Sequence, residues 1–131
     1  MTTPHFYPIG TPGHRWGDAE RAAWRARQIV QRSYAEDVVT ALHALPEAFT
    51  IEHYGQLQAG TDAHPLLLAM TRDWNPALPT ALVTGGVHGY ETSGVHGALQ
   101  FLRDHASDYA GRINLIVAPC VCPWGYQRIQ R

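Results

Sequence analysis

The chain has 131 residues, 45% of them apolar, with ten Lys+Arg against eleven Asp+Glu and no Lys at all. That length and apolar share suit one domain built on one core, and the near-neutral balance provides no basic stripe for nucleic acid or an anionic membrane. The expected partners are small or peptide-like substrates, with no nucleic acid and no membrane. The amino terminus, Met1-Thr-Thr-Pro-His-Phe-Tyr-Pro, has neither the basic head nor the apolar run of a secretory signal, and no stretch is apolar for long enough to span a bilayer. A cytoplasmic protein is expected.

Residues 1–17 carry Pro4, Pro8, Gly10, Pro12, Gly13 and Gly17, a density of turn formers that predicts an ordered arm or lid before an α/β core over 18–131. From Asp18 to Gln31, good helix formers with Ala23, Ala26, Ile29 and Val30 at helical spacing predict a first helix. Ser33 followed by Glu36 has capping-box spacing. The stripe Ala35, Val38, Val39, Leu42 and Leu45 then predicts a second helix, stopped by Pro46.

The period then changes. Phe49-Thr-Ile-Glu-His-Tyr54 alternates as a half-buried strand does, and Pro65-Leu-Leu-Leu-Ala-Met70 is a continuous apolar run after a Gly60-Thr-Asp-Ala turn, so the two are expected to pair. A third strand, Thr80–Thr84, leads into a helix from Ser93 to Ala106 and a strand from Ile113. That β-α-β order predicts a right-handed crossover and a parallel pair. The sum is an α/β fold of four strands and three helices, with a mixed sheet and helices on both faces.

Chemistry concentrates after the third strand. Thr84-Gly-Gly-Val-His88-Gly-Tyr-Glu91 presents an imidazole and a carboxylate three residues apart at the carboxyl end of a parallel strand, where ligands of open α/β sheets gather. Nitrogen and oxygen donors offered together suit Zn2+, and Gly85 and Gly86 permit a turn that side chains would obstruct. Five Glu and eight His make a chance H-x-x-E pair unsurprising, but few chance pairs would follow a Gly-Gly turn at a strand end. His88 and Glu91 are therefore the candidate metal ligands. His96 lies in the following helix and reads as a packing residue; His105 and Asp108 read as a solvated helix end. His5, His14, His43, His53 and His64 have no partner at ligand spacing. Ser33 and Ser93 lie in no nucleophile elbow, no G-x-x-x-x-G-K-[ST] loop occurs, and Cys120 and Cys122 read as small packing thiols.

The run from Thr84 to Val95, followed by a helix, a strand and Pro119-Cys-Val-Cys-Pro123-Trp-Gly125-Tyr126, resembles the zinc carboxypeptidase family and its succinylglutamate desuccinylase and aspartoacylase relatives, over roughly residues 33–131. The resemblance implies a three-layer α/β/α fold with a mixed, largely parallel sheet, of which this chain would be an incomplete amino-terminal portion. It implies that His88 and Glu91 bind Zn2+, which polarises a scissile carbonyl and activates water. The family's later anchor reads Asn-Pro-x-Gly-aromatic, and Cys122 stands here where the Asn would be. An arginine past that anchor contacts substrate in such enzymes, so Arg131 and Arg128 are the candidate substrate-binding residues. The family's Asn-Arg pair, third zinc ligand and catalytic Glu would lie further along than Arg131, so no catalytic group is assigned here and the chain alone is expected to be inactive. The implied activity is removal of a carboxy-terminal residue from a peptide; deacylation of an N-acyl amino acid and a catalytically dead binding module stay open. A missing sheet continuation would leave a strand such as Ile113–Val121 unpaired, and self-association through that edge is expected.

Overall fold

The structure, a computed structural model, describes residues 8–131; the readings placed on residues 1–7, including Pro4 and His5, lie outside them. The elements are α1 (Asp18–Ala26), a π-helical segment Ala35–Val39 continuing into α2 (Thr40–His43), β1 (Phe49–Ala59), β2 (Asp62–Thr71), β3 (Thr80–Thr84), α3 (Ser93–Asp104), a 3-10 turn Ala106–Tyr109, β4 (Asn114–Ala118) and α4 (Pro123–Arg128).

Local chemistry explains most of these limits. At the start of α1 the Gly17 N–H donates to Glu20 Oε2 at 2.8 Å, and Asp18 and Glu20 favour the positive end of the helix. The helix ends at Ala26 instead of Gln31 because its apolar stripe meets no core. None of its residues is buried, Ile29 and Val30 are 65% and 57% exposed, and most helical stability in proteins comes from packing one face. In the second helical segment Ser33 Oγ accepts from the Glu36 N–H at 3.1 Å. Thr40 Oγ1 donates to the Ala35 carbonyl at 3.0 Å, five residues back, at the point where the π segment passes into α2. Val38 and Leu42 are buried there, as the apolar stripe requires.

The sheet has the order β1-β2-β4-β3. The hairpin β1–β2 is antiparallel with a bulge between His53 and Gly55, β2–β4 is antiparallel, and β3–β4 is the parallel pair of the β-α-β unit. The sheet is thus mixed, with its parallel part confined to β3–β4 within this chain. Leu67, Ala69, Leu115 and Val117 join Val38 and Leu42, then Val95, Leu99 and Leu102 of α3, and Tyr126 of α4 in one core cluster. Leu68, Met70, Ile116 and Leu82, which alternation puts on the opposite face, lie outside that cluster, and Leu82 is 66% exposed. The helical segments that reach the core, those of Val38 and Leu42, α3 and α4, join this one cluster. The unpaired edge differs from the expected one: β4 is interior, because both β2 and β3 take its backbone groups, and the open edges belong to β1 and β3.

Three glycines bring α3, α4 and the end of β4 against the loop after β3. A Cβ on Gly85 would lie 2.5 Å from the Gly94 carbonyl oxygen and 2.6 Å from that of Pro119; one on Gly89 would lie 1.9 Å from the Gly125 carbonyl carbon. Gly86 has φ +62, a left-handed conformation that glycine adopts without strain. Because Gly89 meets backbone, which cannot swing aside, Gly89→Ala should cost about 3 kcal/mol. Urea denaturation of the two proteins measures it, and a loss below about 1 kcal/mol, the ordinary cost of a point change, would contradict this packing.

Buried polarity adds a pH term. His64 on β2 is 8% exposed, edge-on to Tyr34 at 6.3 Å, and its Nε2 has no partner among the described residues. Burial first, and Arg128 in addition, hold its pKa below the ordinary imidazole value, with Asp62 opposing. The folded state resists taking this proton and the unfolded chain does not, so stability is intact above about pH 6.5 and falls as the pH drops below it. In urea titrations at pH 7.5 and pH 5.5, His64→Gln should show a smaller difference between midpoints than the parent chain.

Candidate metal centre

β3 hydrogen-bonds to β4 until its carboxyl end, and the ladder is carried on by the Gly85 N–H to the Ala118 carbonyl at 2.9 Å and the Val121 N–H to the Gly85 carbonyl at 3.0 Å. The chain then leaves the sheet through Gly86, and a turn closes where the Glu91 N–H donates to the His88 carbonyl at 3.2 Å. α3 begins two residues later, at Ser93. His88 and Glu91 thus sit on one short turn between a parallel strand and a helix, where the spacing predicted them.

Their side chains meet. His88 Nδ1 is 3.5 Å from Glu91 Oε2, with the two side chains 38% and 53% exposed, so both donors are open to solvent. Two ligands of one tetrahedral zinc ion, each about 2.0–2.1 Å from it, stand about 3.3 Å apart, and the observed separation fits that. They border a cleft of about 200 Å³ lined by Thr84, Gly85, Gly86, Val87 and Gly94. The Tyr90 ring stacks on the His88 imidazole at 6.0 Å and 9°. Among the described residues no group of three His, Cys, Asp or Glu converges on one point.

The turn is held from behind. Arg32, half-buried in the segment before the π helix, donates from Nη1 to the Gly89 carbonyl at 3.1 Å and from Nη2 to the Tyr90 carbonyl at 3.4 Å. Its guanidinium lies 5.3 Å from the Tyr126 ring centroid. Tyr126 is 1% exposed, and its hydroxyl donates to Asp37 Oδ2 at 2.9 Å; burial and that bond push its pKa up to about 12. Sequence reasoning passed over Arg32, because a lone arginine between two helices carries no motif.

The other candidates lie elsewhere. His96 is exposed and edge-on to Tyr126 at 6.5 Å. His105 and Asp108 are exposed beside the 3-10 turn, as read. Cys120 is buried, Cys122 half-buried, and both are free; burial pushes the Cys120 thiol up to about 12, which leaves it a poor nucleophile. Arg128 is not brought to the His88–Glu91 cleft. It pairs with Asp62 at the start of β2, lies 5.0 Å from the Trp124 ring centroid, and borders a separate cleft of about 560 Å³ with Trp24, Gln28 and Asp62. Arg131 is exposed at the end of the chain and does not line the cleft of the pair either.

No protein-family profile matches the chain, and no curated protein does. Solved structures do. Two proteins, each described as a putative metallopeptidase, share 28% identity and a TM-score of 0.60 (Shewanella amazonensis) and 26% identity and a TM-score of 0.59 (Shewanella baltica). The alignments cover 80% of this chain and 42% of the first protein, and 75% of this chain and 34% of the second. A metallo-carboxypeptidase from Burkholderia cenocepacia, 16% identical with a TM-score of 0.50 over 74% of this chain and 27% of its own, shares the fold. The chain therefore spans less than half the length of these proteins and has an α/β, carboxypeptidase-like fold.

Proposed function

We propose that this chain carries part of the metal centre of a zinc-dependent hydrolase that cleaves a peptide or amide bond and releases a carboxy-terminal residue. The observation that carries this reading is the meeting of His88 Nδ1 and Glu91 Oε2 at 3.5 Å, on an open turn at the carboxyl end of a parallel strand. Support comes from the two Shewanella proteins, above one-quarter identical and each described as a putative metallopeptidase. A bound zinc ion would polarise the scissile carbonyl and lower the pKa of water. His88 and Glu91 would hold it, Tyr90 would keep the imidazole plane fixed by stacking, and Gly85, Gly86 and Gly94 would leave the approach free of side chains. Of the two arginines, Arg131 is the proposed substrate contact, because Arg128 would first have to leave Asp62.

Removing either donor should weaken zinc binding by at least about tenfold, since even groups that only support a ligand contribute that much. Calorimetric titration of zinc into the parent chain, His88→Ala and Glu91→Ala measures this, and equal uptake by all three would remove the reading. The open edge of β3 and its exposed Leu82 are proposed to mediate self-association. Sedimentation of the chain at rising concentration should show larger species, and Leu82→Lys should shift them toward monomer. A parent chain that stays monomeric at high micromolar concentration would refute that contact.

A further inference from the structure

We infer that Arg32 is a positioning residue for the metal pair, one that sets the shape of the turn from His88 to Glu91 without touching the ion; the inference rests on the metal reading above. The two carbonyls that accept from its guanidinium, Gly89 at 3.1 Å and Tyr90 at 3.4 Å, are the only backbone positions between the two ligands. A planar fork with fixed donor directions can satisfy two successive carbonyls together, which a single ammonium cannot. The fork is itself restrained. The Arg32 N–H donates to the Gln127 carbonyl of α4 at 3.1 Å, and the guanidinium lies on the face of Tyr126, whose hydroxyl is tied to Asp37. Gly89 of the same turn also abuts Gly125. The span between the ligands is therefore gripped by hydrogen bonds and by backbone contact at once, and the 3.5 Å approach of His88 to Glu91 is its product.

Electrostatics gives the test its sign. Removing a positive charge near a site for a divalent cation would, by Coulomb's law alone, tighten binding. A weaker site in Arg32→Gln can then come only from lost geometry. Three measurements on the whole chain read this: zinc affinity by titration, Tm, and hydrogen exchange of the Glu91 amide, whose bond to the His88 carbonyl reports the turn without metal. Arg32→Gln should bind zinc about tenfold more weakly, the scale expected when a supporting group is lost, at a Tm close to the parent's. Its Glu91 amide should exchange faster, and Arg32→Lys should fall between the two. Unchanged or tighter zinc binding with unchanged Glu91 exchange would overturn the inference while leaving the metal reading intact. An affinity loss that merely follows a fall in Tm would also overturn it. Should the parent chain take up no zinc, the proposed function fails, and unchanged Glu91 exchange in Arg32→Gln independently removes the clamp. If Arg32→Gln does not fold, Arg32→Lys at the parent's Tm decides, with unchanged affinity and exchange counting against the role.

Discussion

Backbone lies directly on backbone where Gly89 meets Gly125, and the candidate site depends on that contact. With no Cβ on either residue, the turn that carries His88 and Glu91 can sit against the first turns of α4. Any side chain at Gly89 would push the turn away from α4 by the width of a methyl group or more, and protein interiors have little free space to absorb such a shift. Gly85 repeats the logic one step earlier, between Gly94 of α3 and Pro119 after β4. The turn is thus seated against α3, the end of β4 and α4, and its shape is set by how they pack.

This seating explains why two polar, solvent-open side chains stay close to one another. An exposed imidazole and carboxylate pair gains little from its own attraction, because water screens it. What holds His88 beside Glu91 is the short span between them, with its ends in the β3–β4 ladder and in α3, and its middle against Gly125 and Arg32. Strand pairing, helix packing and side-chain hydrogen bonds therefore converge on the same few backbone atoms. The metal site proposed for this pair would need a frame of this kind to preorganise its exposed donors.

Some elements could be read from the residues and others could not. The β1–β2 hairpin was visible as alternation followed by an apolar run, though both strands extend through residues that carry polar side chains, since an antiparallel partner stabilises backbone whatever faces solvent. α4 was missed because six residues are too few to show a helical period; only Pro123 at its first position marked it, and proline there has many other uses. α1 was read too long, for periodicity says where an apolar face would be and not whether a core exists to receive it. His88 and Glu91 stood out as candidates because a Gly-Gly break after an apolar strand is a local signal. Arg32 lies 57 residues from Gly89, and nothing local to Arg32 points to its partner.

The sequence by itself determined the four strands, the helical stretches before β1 and after β3, the parallel β3–β4 unit and the two candidate donors, because each follows from side-chain periodicity or from a turn within a few residues. Only the tertiary structure decided that β4 is interior, that Arg128 pairs with Asp62 away from the cleft, and that Arg32 grips the turn. Those outcomes depend on which distant surfaces meet. A chain fixes such meetings through the packing of its whole core, and no short window of residues records them.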